Sequence, residues 1–265
     1  MDLTTIREIR QPQRRKELVF GPTVGILGGG SWLYSEPQLH LETLIDLTSF
    51  GWAPIEVTDI GIRIAATCTL AELTASPAEP TWLSHHLLDQ CSEALLGSFK
   101  VHNVATVGGN ICLALPAGPM TSLMCALDAV ATIWMPDGDD RLLPVSELVT
   151  GVQQNALEPG EVLRSVEIPI ASMRSASGFR RIALSPVGRT GTLVIARREQ
   201  HQFVVTVTGG TERPVQLRFA DVPTADELAT DVAAIDCWYD DLHGAPDWRR
   251  AMSVLFAEQL RRELT

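Results

Sequence analysis

No Cys-x-x-Cys pair occurs in the 265 residues; the five cysteines, Cys68, Cys91, Cys112, Cys125 and Cys237, are odd in number and scattered. They give no metal-ligand signature and no closed disulfide set, and they read as reduced thiols of the cytoplasm. Positive charge is scarce too. Twenty-one Lys and Arg against 32 Asp and Glu leave a net charge of −11, so the clustered cations that a nucleic-acid backbone requires are missing. The one membrane-like stretch, 111–136, is broken by Pro116, Gly118, Pro119 and Asp128. Such breaks would strand backbone polar groups in lipid, so the stretch reads as a loop and then a buried helix from about Met120 to Leu127, with no transmembrane segment. The first twenty residues carry Arg7, Arg10, Arg14, Arg15 and Lys16 with no apolar run behind them, unlike a secretory leader. Neither H-E-x-x-H nor G-x-S-x-G is found, and His40, His85, His86, His102, His201 and His243 show no ligand spacing. No catalytic residue and no metal ligand is nominated.

What remains is a chain rich in core material. Hydrophobic residues make up 45% and charged residues 20%, a balance that offsets chain entropy and predicts a globular protein. At roughly 150 residues per domain, two closely packed lobes are expected. Strands are predicted at 23–27, 43–47, 61–65, 129–134, 162–168, 192–197, 203–207 and 215–219 from their β-branched or alternating runs. Thr67 or Thr69 caps a short helix holding Leu70 and Leu73, a longer helix covers Trp82 to Leu96, and a last helix, capped by Asp247, runs from Trp248 to Leu264. Strands and helices mix without strict alternation, so the class is α+β. Small residues at 172–177 suggest a surface connection between the lobes. Between Arg218 and Arg249 there are eight acidic residues and no Lys or Arg, forming either a solvated face or a negative one.

Two glycine turns carry the chemistry: Gly28-Gly29-Gly30-Ser31-Trp32-Leu33 and Thr106-Val107-Gly108-Gly109-Asn110. Glycine lets backbone approach a ligand closely and aim successive N–H groups into one concavity, which binds phosphate oxygens without lysine. Ser31, Thr106 and Asn110 add polar side chains. Direct amide contacts act at short range, whereas the net negative charge is screened over about 8 Å of salt solution, so an acidic chain can bind a dinucleotide. The competing reading is that each turn is simply tight. Leu33 stands where G-x-G-x-x-G needs its last glycine, so a Rossmann unit is not indicated and Asp46 reads as a strand-end residue.

The segments Ile26 to Leu33, Val101 to Ile111 and Gly160 to Pro169, together with His243 to Arg250, resemble the FAD-binding medium subunit of the molybdenum hydroxylases, the carbon monoxide dehydrogenase and xanthine dehydrogenase family. The resemblance runs nearly end to end, and the second glycine turn carries it most specifically. It implies a vanillyl-alcohol-oxidase (PCMH) type fold. Residues 1–172 form the FAD-binding domain, with subdomains of about 1–53 and 54–172, and residues 173–265 a C-terminal α+β flavoprotein domain. It implies FAD contacts from Ile26, Leu27, Gly28, Gly29, Gly30, Ser31, Trp32, Leu33, Asn103, Thr106, Val107, Gly108, Gly109 and Asn110, and by looser alignment from Leu163 and Arg180. A cytoplasmic electron-transfer subunit follows, with 2Fe-2S clusters and molybdopterin in separate partner subunits. The chain departs from the family pattern at Ser31, Trp32 and His102, and at Ala117-Gly118-Pro119 where an acidic residue is usual. A stand-alone flavin oxidase and a flavin-free scaffold are the alternatives.

Overall fold

An apolar segment that can pair on both edges organises the N-terminal part of the computed structural model, which describes residues 3–265. After β1 (Glu8–Arg10) and β2 (Val24–Leu27) comes β3 (Thr43–Asp46), whose Leu44 and Ile45 are almost completely buried. It sits at the centre of a three-stranded sheet of order β1-β3-β2, parallel on both sides. Parallel neighbours need crossover connections rather than tight hairpins. The crossover from β2 to β3 begins with the first glycine turn, at the carboxyl end of β2 where open sheets present ligands.

The second sheet is antiparallel. Strands β4 (Ile55–Val57) and β5 (Gly61–Ala65) lead into five helices, α1 (Leu70–Thr74), α2 (His86–Ala94), α3 (Phe99–His102), α4 (Val107–Leu113) and α5 (Pro119–Ala126). The chain returns through β6 (Val130–Trp134), β7 (Asp140–Pro144), α6 (Val145–Leu148), a small hairpin of β8 (Val149–Gly151) and β9 (Gln154–Asn155), and β10 (Val162–Pro169). The strand order is β4-β5-β10-β6-β7. Helices and sheet share one core in which Ile64, Leu70, Leu87, Ile111, Met120 and Leu123 are fully buried. Every residue of α5 is buried, as expected for the interrupted apolar stretch.

Helix α7 (Ile170–Arg174) passes the chain to a meander of β11 (Ala176–Ile182), β12 (Thr192–Glu199), β13 (Gln202–Thr208) and β14 (Val215–Phe219), followed by α8 (Ala225–Ala233) and α9 (Pro246–Glu263). Phe203, Val205 and Leu228 pack with Ala257 and Leu260 of α9 into a separate core. A buried ion network joins this sheet to α5. Arg197, 1% exposed, donates from Nε to the Ala126 carbonyl at 3.0 Å and pairs with Asp128 and Glu199, while Arg218 also reaches Asp128. Burial opposes ionisation of Asp128, but the Arg218 hydrogen bond and the Arg197 charge outweigh it and hold its carboxyl below the usual range.

Several sequence expectations are corrected. Thr69, rather than Thr67, caps α1, in a capping box closed by Glu72. Helix α2 starts at His86 instead of Trp82, because Ser84 is drawn into tertiary bonds, its N–H to the Met173 carbonyl at 3.0 Å and its hydroxyl to that of Ser175 at 2.7 Å. Helix α9 begins with Pro246 after Ala245, so Asp247 lies in the first turn and does not cap it. The segment at 172–177 is no surface connection: Ser172, Met173 and Ser175 are buried. Of the eight acidic residues in 219–248, seven are exposed and solvated, and Asp241 turns inward to pair with buried Arg249.

Candidate functional site

The two glycine turns meet. A methyl on Gly29 would overlap the carbonyl oxygen of Val104, and one on Gly28 would lie 2.8 Å from Thr106 Oγ1. Only residues without a Cβ allow the crossover after β2 to lie directly on the chain entering α4. Gly30 adopts a φ of +72°, in the left-handed region, and the turn then curls so that the Tyr34 N–H reaches the Gly30 carbonyl at 2.9 Å. At the second turn, a Cβ on Gly108 would lie 2.5 Å from that of Ala66, so this glycine seats α4 on the end of β5.

Hydrogen-bond accounting separates the two turns and corrects the expectation that both offer free amides. In the second turn the N–H groups are taken: Val107 donates to the Cys68 carbonyl at 2.8 Å, Gly108 to Ala66 at 2.9 Å and Asn110 to Thr106 at 3.0 Å. Gly109 donates to the Thr106 hydroxyl at 3.1 Å, the N-cap bond of α4. By contrast, no N–H from Gly28 to Leu33 has an acceptor among the described residues. Gly30 is buried, and Gly28 and Gly29 are half-buried. Donors so placed are costly to leave unpaired, which marks the first turn as the place where an acceptor-rich ligand is held.

Both turns open onto a cavity of about 1070 Å³. Of the residues predicted from sequence, Ile26, Gly28, Gly29, Gly30, Ser31, Trp32, Leu33, Thr106, Gly108, Gly109, Asn110 and Leu163 line it. Leu27 and Val107 lie buried behind the lining. Leu163 stands where the pairing of β10 with β6 shifts by one residue, a bulge of the kind that re-aims a side chain. Asn103 and Arg180 are not brought to the cavity. Asn103 is exposed at the end of α3, and Arg180 binds Gln259 and Glu263 of α9.

The cation that does line the cavity is Arg189, in the turn between β11 and β12 beside Thr190. It has no acidic partner among the described residues, and it is the one Lys or Arg in the lining. Sequence reasoning missed it because only the sheet's placement brings that turn over the cavity. Glu161 also lines the site, but Arg141 neutralises it at 2.9 Å, and the Arg141 hydrogen bond holds its carboxyl below the usual range. Burial pushes the Cys112 thiol in the lining up to about 12, so it is not a nucleophile. No group of three or more His, Cys, Asp or Glu among the described residues is placed to hold a metal.

The family model for the FAD binding domain in molybdopterin dehydrogenase matches residues 6–171. The chain belongs to this family. This FAD-binding-domain protein is 29% identical over 173 residues to the xanthine dehydrogenase/oxidase of Gallus gallus, an alignment covering 60% of the chain and 13% of the chicken enzyme. It therefore spans about an eighth of that relative's length. Similarity to the 6-hydroxypseudooxynicotine dehydrogenase complex subunit alpha of Paenarthrobacter nicotinovorans is 26% identity over 232 residues, 81% of this chain and 75% of that one. A chain of reconstituted CO dehydrogenase from Oligotropha carboxidovorans shares the fold, with a TM-score of 0.85 at 20% identity, over 100% of this chain and 99% of that one. No helix among the described residues is long and apolar enough to cross a membrane.

Proposed function

We propose that the chain carries FAD in this cavity and serves as the electron-transfer subunit of a molybdopterin-dependent dehydrogenase complex. The observation that carries the reading is the run of unpaired amides from Gly28 to Leu33. A diphosphate offers these donors the acceptors that the chain itself does not. Thr106 and Gly109 lie beside this turn, and Leu163 belongs to the apolar part of the lining. The volume of about 1070 Å³ suits a dinucleotide rather than a fragment of one. When bound, FAD supplies reversible one- and two-electron chemistry; the protein's part is to bind, orient and shield it.

In this reading the fold is of the PCMH type. Residues 1–172 form the FAD-binding domain, with subdomains of about 1–53 and 54–172, and residues 173–265 form the flavoprotein domain that covers the cofactor. An iron–sulfur subunit delivers electrons taken from substrate at a molybdopterin subunit, and the complex works in the cytoplasm. The names of the relatives support this division of labour: subunit beta of a caffeine dehydrogenase in Pseudomonas sp. and an FAD-subunit of nicotinate dehydrogenase in Eubacterium barkeri are among them. The purified chain is expected to show a flavin absorption spectrum, to release FAD on denaturation, and to turn over no organic substrate without partner subunits. A colourless chain that takes up no added FAD contradicts the reading, and so does aerobic turnover by the chain alone.

A further inference from the structure

Trp32 is the one aromatic side chain among the described residues that line the cavity. Trp52 stacks on Phe50, Trp134 meets both edge-on, the Arg164 guanidinium lies over Trp52 and Trp134, Trp82 stacks on His85, and Trp238 and Trp248 lie away from the cavity. Trp32, by contrast, is 37% exposed and lines the cavity, and it contacts no other ring and no cation among the described residues. It lies on the turn with the unpaired amides, within three residues of Gly29. An indole left without a ring partner at the mouth of a binding cavity offers a flat π-face to a ligand.

Given the FAD reading above, on which this inference rests, we propose that Trp32 stacks on the adenine of the bound dinucleotide and sets the preference for FAD over flavins that lack adenine. The choice of ring follows from size and surroundings. Three fused flavin rings need the apolar part of the lining, which includes Leu113, Leu115, Leu157 and Leu163. The two-ring purine takes the half-open rim beside the diphosphate turn, where Trp32 presents one face. Stacking of a nucleobase on an aromatic side chain tolerates Phe in place of Trp but not Ala.

The test compares Trp32→Ala and Trp32→Phe with the unaltered full chain, titrated separately with FAD and with FMN. Flavin fluorescence and tryptophan quenching report binding. In the unaltered chain, FAD is expected to quench tryptophan emission more than FMN does. Trp32→Ala should weaken FAD binding by on the order of tenfold and leave FMN binding unchanged, whereas Trp32→Phe should retain most of the FAD affinity. Equal losses for FAD and FMN would place the flavin ring on Trp32 and overturn the proposal, as would unchanged FAD binding in Trp32→Ala. Failure of the unaltered chain to bind either flavin would instead refute the FAD reading itself. Matching circular dichroism of the variants and the unaltered chain separates a lost contact from a lost fold.

Discussion

Gly29→Ala is expected to yield a protein without flavin and with a lowered melting temperature. The added methyl falls on the Val104 carbonyl oxygen, a backbone atom with no rotamer to escape into. The clash is relieved only if the crossover after β2 lifts away from the chain entering α4. Overpacking of this kind costs about 3 kcal/mol, which for a chain of this size lowers the midpoint by roughly 6–12 °C. Separating the turns also moves the free amides away from Thr106 and Gly109, so flavin content should fall below about a tenth of the normal ratio. Visible absorbance per mole of protein, with thermal unfolding followed by circular dichroism, reads both effects. A Gly29→Ala protein with normal flavin and normal stability would show that the turns do not need to touch.

Gly109→Val separates binding from folding. A Cβ there has one neighbour within 4 Å, the Thr106 hydroxyl at 2.8 Å, and otherwise points into open cavity. Gly109 has a φ outside the left-handed region and lies in a helix, where valine is tolerated. The added Cβ crowds the hydroxyl that caps α4, so the cofactor-free protein should stay folded and lose no more than that cap contributes, about 1–2 kcal/mol. Filling the space of the diphosphate is expected to cost about 3 kcal/mol of binding, or roughly a hundredfold in FAD affinity. Titration of the refolded apoprotein with FAD measures the loss, and a melting curve without FAD measures the fold. Full flavin occupancy in this variant would place the ligand elsewhere in the cavity.

The difference between the two glycines shows what the sequence made legible. The turns themselves stood out, because glycine runs flanked by apolar residues are rare, and twelve of the sixteen nominated positions line the cavity. The distinct jobs of the turns were not visible. Val107 and Gly108 donate to carbonyls of Cys68 and Ala66, some forty residues earlier, and such pairings exist only after the second sheet and α4 have packed. Periodicity located β5, β12 and β13, whose β-branched residues are buried, and β14, where Val215 is half-buried and Phe219 buried. It missed β7, an edge strand of alternating exposed and half-buried residues, and β11, whose small and basic residues lack a clear apolar face. Missing β11 hid the turn that brings Arg189 to the cavity.

Amide hydrogen exchange of the full chain, with and without FAD, tests the central claim most directly, because it reads each N–H at the turns. Without FAD, the amides of Gly28 to Leu33 should exchange fast and those of Val107 to Asn110 slowly. FAD should protect the first set and leave the second almost unchanged. Binding of FAD that leaves Gly28 to Leu33 as fast as before would contradict the account, whatever the spectrum of the complex.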